Sequence, residues 1–209
     1  MKVLVFGASG GTGRELLQQA LDKGMEVTAF VRDAAKVEDI QHPNLAVVIG
    51  DVLNIEDVSR AVAGHDAVLY AVGAGPKRTT IREQGTRNVI EAMQAANVER
   101  LVCLSSFGVG DSRTDLSFFT RYIVVGIFLR HAFADHERQE AVVEKCALDW
   151  TLVRPPHLKD GAPTGEYQHG LTLAYGDIKG WISRGDLADF MLKQLEDDRY
   201  SRQAPRVSY

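Results

Sequence analysis

Several features that would point to other kinds of protein are missing from this 209-residue chain. It has only two cysteines, Cys103 and Cys146, both in apolar stretches, and nowhere do metal-ligating side chains recur at a metal-site spacing. We therefore expect buried free thiols of a reducing compartment and no metal site. The formal net charge of −4 gives no basic excess, so nucleic acid is not an expected partner.

Long hydrophobic runs are absent as well. The apolar run at 122–129 is far shorter than the ~20 residues of a membrane-spanning helix. The chain starts with an expected strand, so we expect no signal peptide before it. Its 45% of hydrophobic residues is ordinary for a globular protein. We expect one cytoplasmic domain over 1–209, a monomer or homodimer, with no membrane partner.

The most informative stretch present is residues 3–14, VLVFGASGGTGR, in which a buried strand runs into a glycine-rich turn and a helix. Gly7 permits a sharp turn, and Gly10 and Gly11 let the backbone approach a phosphate. Gly13 lets the helix lie close to the sheet, with its free N–H groups facing the anion. A plain strand–turn–helix is the alternative. The expected cofactor-binding residues of this turn are Gly7, Ser9, Gly10, Gly11, Thr12 and Gly13.

Short apolar runs alternate with helical patterns along most of the chain. Strands are predicted at 2–6, 26–31, 45–49, 67–72, 101–105 and 150–154, and helices at 13–23, 55–63, 84–96 and 135–147, with a last helix from Asp186. This order predicts an α/β Rossmann-type doubly wound parallel sheet with helices on both faces and a ligand crevice at the carboxyl ends of the strands. Region 157–183 is interpreted as a small C-terminal cap on the same domain.

The residue that follows the second strand indicates which dinucleotide binds. In such folds this position meets the adenosine ribose, where Arg32 would pair with the 2′-phosphate of NADP and Asp33 would favour NAD. We predict NADPH, with NAD still possible; a solvated Arg32–Asp33 turn pair is the third interpretation. The tips of the next two strands, 50–52 and 72–75, carry glycines that would allow a ligand close to the backbone.

The chain resembles the atypical short-chain dehydrogenases of the NmrA-like group, and within it the biliverdin and flavin reductases. The resemblance runs nearly end to end and includes 6–13 (FGASGGTG), 31–33 (VRD), 48–53 (VIGDVL), 85–88 (GTRN), 155–157 (PPH), 163–167 (PTGEY) and 186–192 (DLADFML). It implies a pyrophosphate site at Gly10 to Thr12, a 2′-phosphate at Arg32, adenine beside Asp51 and Val52, ribose along Gly73, and nicotinamide framed by Pro156 and His157.

Many short-chain dehydrogenases use Tyr-x-x-x-Lys on the helix after the fifth strand, and that motif is missing here. A match at Tyr175 and Lys179 lies in the cap and is interpreted as chance. Hydride transfer to a planar conjugated acceptor (a flavin, a quinone or a linear tetrapyrrole such as biliverdin) needs such a proton donor less than carbonyl reduction does. The candidate catalytic residues are therefore Ser106 and His157, with Ser105 binding acceptor or nicotinamide. The alternatives are a serine that only caps the next turn and a histidine bonded only to backbone.

Two other function classes stay open: a non-catalytic NAD(P)-binding redox sensor, and a scaffold that uses the fold without turnover. Segment 109–134 departs from the family because it is longer and more apolar, with Phe118, Phe119, Tyr122, Ile123, Ile127, Phe128 and Leu129. At helical spacing these residues are predicted as extra core, a pocket wall or a subunit interface.

Overall fold

A six-stranded parallel sheet forms the centre of the protein. The computed structural model describes residues 1–74, 78–173, 176 and 179–209. The sheet order is β3-β2-β1-β4-β5-β6, so the chain reverses its direction of winding between β1 and β4. The strands are β1 (Lys2–Phe6), β2 (Glu26–Val31), β3 (Leu45–Ile49), β4 (Ala67–Tyr70), β5 (Arg100–Leu104) and β6 (Asp149–Val153).

Helices cover both faces of this sheet, as predicted. They are α1 (Gly11–Asp22), α2 (Ile55–Val62), α3 (Ile81–Ala96), α4 (Arg130–Val143) and α5 (Arg184–Lys193). Because side chains alternate along a strand, Val3 and Val5 of β1 pack in the core with α1 and α5. Leu4 and Phe6 pack in the other core, with α2, α3 and α4. The α/β doubly wound prediction is confirmed.

Element boundaries match the prediction best where the periodicity is clean. The first three strands have the predicted bounds, whereas β4 is shorter by two residues at its end. The fourth predicted helix, 135–147, is α4 at Arg130–Val143, which includes residues 130–134 and ends four residues earlier than predicted. The last helix begins at Arg184, where the Ser183 hydroxyl accepts from Asp186 N (2.9 Å) and caps it.

The chain after β6 forms two small sheets. β7 (His157–Lys159) pairs in parallel with β9 (Trp181–Ser183), and β8 (Gln168–Gly170) pairs antiparallel with β10 (Arg206–Ser208). The 163–167 motif has a structural role here, since its backbone N–H groups at Thr164 and Gly165 donate to Asp186 (2.6 and 2.8 Å). The predicted cap at 157–183 stays a prediction, and Tyr175 lies outside the described residues.

The burial of apolar side chains in segment 109–134 differs from the extra-core interpretation. It comprises a 3₁₀ turn at Gly110–Asp115, a π-helix at Thr120–Phe128 and the start of α4. Leu116 and Val125 are buried in a small cluster with Phe107. The large apolar side chains left exposed are Phe118, Phe119, Tyr122, Ile127 and Phe128. The extra-core interpretation is therefore wrong for these five, because only one side of the π-helix faces the body of the protein.

The two cysteines are buried and free, as predicted. Burial raises the pKa of both Cys103 and Cys146, which keeps them as protonated thiols. Within the described ranges, no helix combines the length and hydropathy needed to cross a membrane. The described side chains also bring no three His, Cys, Asp or Glu residues together as potential metal ligands.

Candidate functional site

The turn between β1 and α1 leaves backbone donors available for an anion. Gly10 N donates to Gly7 O (2.9 Å) and Arg14 N to Gly10 O (2.8 Å), which closes the turn. No side chain caps α1, and its first turn contains no acidic residue. Among the described residues, the N–H groups of positions 11–13 have no hydrogen-bond acceptor. A phosphate at this helix end would be bound by these donors and by the helix dipole.

Close packing explains why two of the turn positions are glycine. Gly7 has φ +77°, and a Cβ there would lie 2.4 Å from Ala71 O of the neighbouring strand end. A Cβ on Gly13 would lie 2.1 Å from Gly7 O. The contacts are with backbone, which cannot rotate away. These glycines therefore set the distance between the turn, α1 and the sheet.

Two adjoining cavities open at the carboxyl ends of the strands, where the winding reverses. The first, here called the β2 cavity, has about 190 Å³ and is lined by Phe6, Gly7, Ser9, Gly10, Phe30, Val31, Arg32, Gly50, Val52, Val72, Gly73 and Ile81. The second, the β5 cavity, has about 290 Å³ and is lined by Gly10, Gly11, Thr12, Ala71, Val72, Gly73, Arg82, Leu104, Ser105, Ser106, His136, Pro155, Pro156, Leu158 and Arg184. Because Gly10, Val72 and Gly73 line both, one elongated ligand can extend through the two.

Arg32 lies at the rim of the β2 cavity with its guanidinium available. It is exposed and has no ion pair with any described residue. The neighbouring Asp33 accepts from Ala35 N (3.1 Å) and so caps the short 3₁₀ turn that follows β2. Both side chains are exposed at this turn, so the solvated turn pair stays one of the three interpretations. The arrangement suits a phosphate at this rim.

Fewer side chains at the tip of β3 line the β2 cavity than predicted. Val52 is buried and lines the β2 cavity together with Gly50. Asp51 is exposed, is not among the lining residues, and accepts from Leu53 N (3.0 Å). The Asp51 carboxylate therefore stabilises the local turn. A ligand contact by its side chain, expected from the resemblance, has no support in this geometry.

Ser105 lines the β5 cavity, and its hydroxyl group already donates a hydrogen bond within the protein. Ser105 Oγ donates to Glu140 Oε1 (2.5 Å), a buried carboxylate that also accepts from Arg154 Nε (2.9 Å). The paired carboxylate has no proton to give, so the serine must be the donor. Toward a ligand, Ser105 Oγ can therefore act only as an acceptor.

Ser106 and the two prolines also reach the β5 cavity, but His157 does not. Ser106 is half-buried, with only a long hydrogen bond (3.3 Å) to Phe107 O. Pro155 and Pro156 line the cavity, as does Leu158. His157 is exposed on β7, because neighbouring side chains of a strand point to opposite sides and Leu158 takes the inner one. The structure therefore does not bring His157, predicted as catalytic, to the site.

His136 on α4 lines the β5 cavity, and sequence reasoning missed it. Gln139 Nε2 donates to Thr86 Oγ1 (3.1 Å), which leaves Gln139 Oε1 to accept from His136 Nδ1 (3.1 Å). Burial, followed by the nearby Arg82 guanidinium, lowers the pKa of His136 to about 3. The ring is therefore neutral with its proton on Nδ1. His136 Nε2 has no hydrogen-bond partner among the described residues and is an acceptor.

A match to a known family agrees with the glycine turn, its available N–H groups and the two adjoining cavities. The family model described as NAD(P)H-binding matches residues 7–198. The chain belongs to this NAD(P)H-binding family. Its cofactor class is accordingly NAD(P)H, as predicted.

Relatives of this NAD(P)H-binding protein extend over the whole chain. The Bacillus subtilis (strain 168) protein YwnB is 30% identical over 97% of this chain and 96% of its own length. The chloroplastic Arabidopsis thaliana protein At2g34460 is 32% identical over 100% of this chain and 80% of its own length.

Solved structures show the same fold. ChuY from Escherichia coli O157:H7, described as an anaerobillin reductase, has a TM-score of 0.82 and 24% identity, covering 100% of this chain and 97% of its own. A short-chain dehydrogenase/reductase from Veillonella parvula DSM 2008, solved in complex with NADP, has a TM-score of 0.82 and 15% identity, covering 100% of this chain and 94% of its own. At these identities the likeness concerns the fold.

In this NAD(P)H-binding protein, Arg184 also lines the β5 cavity. Its side chain lies across the glycine turn, since a Cβ on Gly11 would be 2.7 Å from Arg184 Cδ, and its guanidinium bonds Asp160 (2.6 Å). Its position depends on the pairing of β7 with β9, for which the sequence holds no local signal.

A signal for the missed residues of α4 does exist in the sequence. His136, Gln139 and Glu140 recur at i, i+3 and i+4, which places them on one face of a helix. Gln139 and Glu140 are buried polar side chains. A polar stripe on a helix that must cover a sheet indicates a site, and it would have directed attention to α4.

Proposed function

We propose that this protein is an NADPH-dependent reductase that transfers a hydride to a planar conjugated acceptor carrying N–H groups, such as a flavin or a linear tetrapyrrole. The observation that supports this most is the chemistry of the β5 cavity, where Ser105 Oγ and His136 Nε2 both act as acceptors. These two atoms favour ligands that present donors, whereas Arg82 and Arg184, which line the same cavity, can donate to acceptors of the ligand. A quinone, the third class predicted from the sequence, has no N–H group and is a poorer match.

The residues that would hold the cofactor fit its parts. The N–H groups at positions 11–13 suit the pyrophosphate, and Arg32 suits the 2′-phosphate. Val52 and Phe30 provide an apolar wall for a flat base in the β2 cavity. NADPH, when bound, supplies the hydride.

The chain's own residues position the acceptor and supply no strong acid. Helix α4 contains neither tyrosine nor lysine, so the Tyr-x-x-x-Lys arrangement has no counterpart there. His136 is neutral and its proton is held by Gln139. An electron-poor conjugated acceptor spreads the incoming charge, and solvent can then provide the proton. Ser105, Ser106 and His136 hold the two flat rings in register, which is the main contribution that such a reaction requires.

The first prediction concerns turnover. NADPH oxidation, measured as loss of NADPH absorbance, should proceed with FMN or biliverdin and about tenfold less efficiently with a quinone that lacks N–H donors.

Ser106→Ala should lower kcat about tenfold, because one hydrogen bond to the acceptor is lost, and should change the Kd for NADPH less than about twofold. Ser59→Ala, at an exposed serine of α2, is the matched control.

Two outcomes would count against this function. Unchanged turnover in Ser106→Ala removes that residue from the site. Tight NADPH binding without turnover of any acceptor favours the redox sensor, the alternative that needs the cofactor cavity but no acceptor.

The second prediction concerns pH. The folded protein binds no proton at His136 until the pH approaches 3, whereas the unfolded chain binds one below about 6.5. The free energy of unfolding should therefore fall as the pH drops from about 6.5, with up to about 1.4 kcal/mol per pH unit from this residue. His136→Gln should flatten that slope, measured by urea unfolding at several pH values. The control His42→Gln, at an exposed histidine, should keep the wild-type slope; equal slopes for His136→Gln and wild type would contradict the assignment.

A further inference from the structure

The apolar segment 116–134 presents a surface whose composition points to a partner. We propose that it docks onto an anionic lipid surface, lying in the interface without crossing the bilayer. The expectation of no membrane partner came from the absence of long apolar runs, which tests only for spanning helices. It did not consider a segment that binds the membrane from one side.

The segment is anchored to the protein by one side only. Leu116 and Val125 are buried with Phe107, and the partly buried Phe133 packs against them. The opposite side carries five exposed large apolar residues, among which Phe118 is 78% and Phe128 71% exposed. The ring centroids of Phe118 and Tyr122 lie 4.7 Å apart, so the two rings form a continuous aromatic surface. An apolar patch of this kind on a folded protein marks an interaction surface.

The charged side chains within this segment are all of one sign. Residues 116–134 include no aspartate or glutamate, but they include Arg121, Arg130 and His131, in a chain whose net charge is −4. Arg121 lies over the Tyr122 ring (5.6 Å to its centroid). Neither Arg121 nor Arg130 forms an ion pair with a described carboxylate. Their charges are therefore available to an external anion.

These features fit anionic lipid better than a second copy of the chain. A symmetric dimer through this face would apply the same patch to both partners and bring arginines toward arginines. Lipid phosphates instead match the guanidinium groups, while aromatic and aliphatic side chains enter the boundary between headgroups and acyl chains. The combination of exposed aromatics with cations and no acids is typical of interfacial membrane binding.

The test is sedimentation of the full chain with vesicles. The wild type should bind phosphatidylcholine vesicles containing about one-third phosphatidylglycerol, and bind pure phosphatidylcholine much more weakly. Arg121→Gln and Arg130→Gln should each weaken binding about fivefold. Phe118→Ser combined with Phe128→Ser should weaken it at least about tenfold. The controls are Arg60→Gln and Leu53→Ser, an exposed arginine and an exposed apolar residue outside the segment, and both should bind as the wild type does.

Three results would overturn the proposal. The first is no wild-type binding to the anionic vesicles, and the second is an equal loss in the control variants. The third is a dimer, detected by light scattering, that dissociates when Phe118 and Phe128 are replaced while vesicles bind neither form; the face would then serve a second copy. Because vesicle binding is measured without turnover, these results are independent of the proposed reductase activity.

Discussion

Replacing Arg32 with alanine should weaken NADPH binding about 100-fold and NADH binding less than about threefold. No described carboxylate forms an ion pair with the guanidinium at the rim of the β2 cavity, and Asp33 accepts from the backbone of the next turn. Charge-assisted hydrogen bonds to a phosphate contribute up to about 3 kcal/mol, which corresponds to the 100-fold loss. NADH has a hydroxyl in place of that phosphate and loses little.

Calorimetric titration of both nucleotides into the wild type and the variant measures this difference. Arg60→Ala, at an exposed arginine of α2, serves as the control for the loss of one positive charge. If Arg32→Ala weakened both nucleotides equally, the residue would not contact the 2′-phosphate. The cofactor preference would then depend on other residues at this rim.

Replacing Gly13 with alanine should lower the free energy of unfolding by about 3 kcal/mol and abolish measurable NADPH binding. The added methyl group would lie 2.1 Å from Gly7 O, and this atom is fixed by its hydrogen bond from Gly10 N. This steric clash is relieved only if α1 moves away from the sheet. The same movement displaces the N–H groups at positions 11–13 from the anion site.

Urea unfolding and NADPH titration measure the two effects in the same preparation. Gly73→Ala provides the matched control for stability, since no described atom beyond its two chain neighbours lies within 4 Å of a Cβ there. Its free energy of unfolding should equal that of the wild type. If Gly13→Ala were as stable as Gly73→Ala and still bound NADPH, the close contact between α1 and the turn would not be needed for the site.

The sequence alone was sufficient for the sheet and the anion-binding turn. The continuous apolar strands β1, β2 and β3 and the glycines at 7, 10 and 13 are local signals. Strand propensity and the need for a missing Cβ act over a few residues and do not depend on distant contacts. The same holds for Arg32, whose place at the end of β2 follows from the strand itself.

Only the tertiary structure decided which side chains meet at the carboxyl ends of β5 and β6. Glu140 contacts Ser105, and His136 lines the β5 cavity, because the polar stripe of α4 packs toward the sheet. His157, in contrast, faces outward. The sequence also did not indicate that one side of segment 116–134 is exposed, since periodicity groups side chains on one face without saying what covers that face. Local pattern fixes the form of each element, whereas its orientation depends on the free energy of packing against residues far away in the chain.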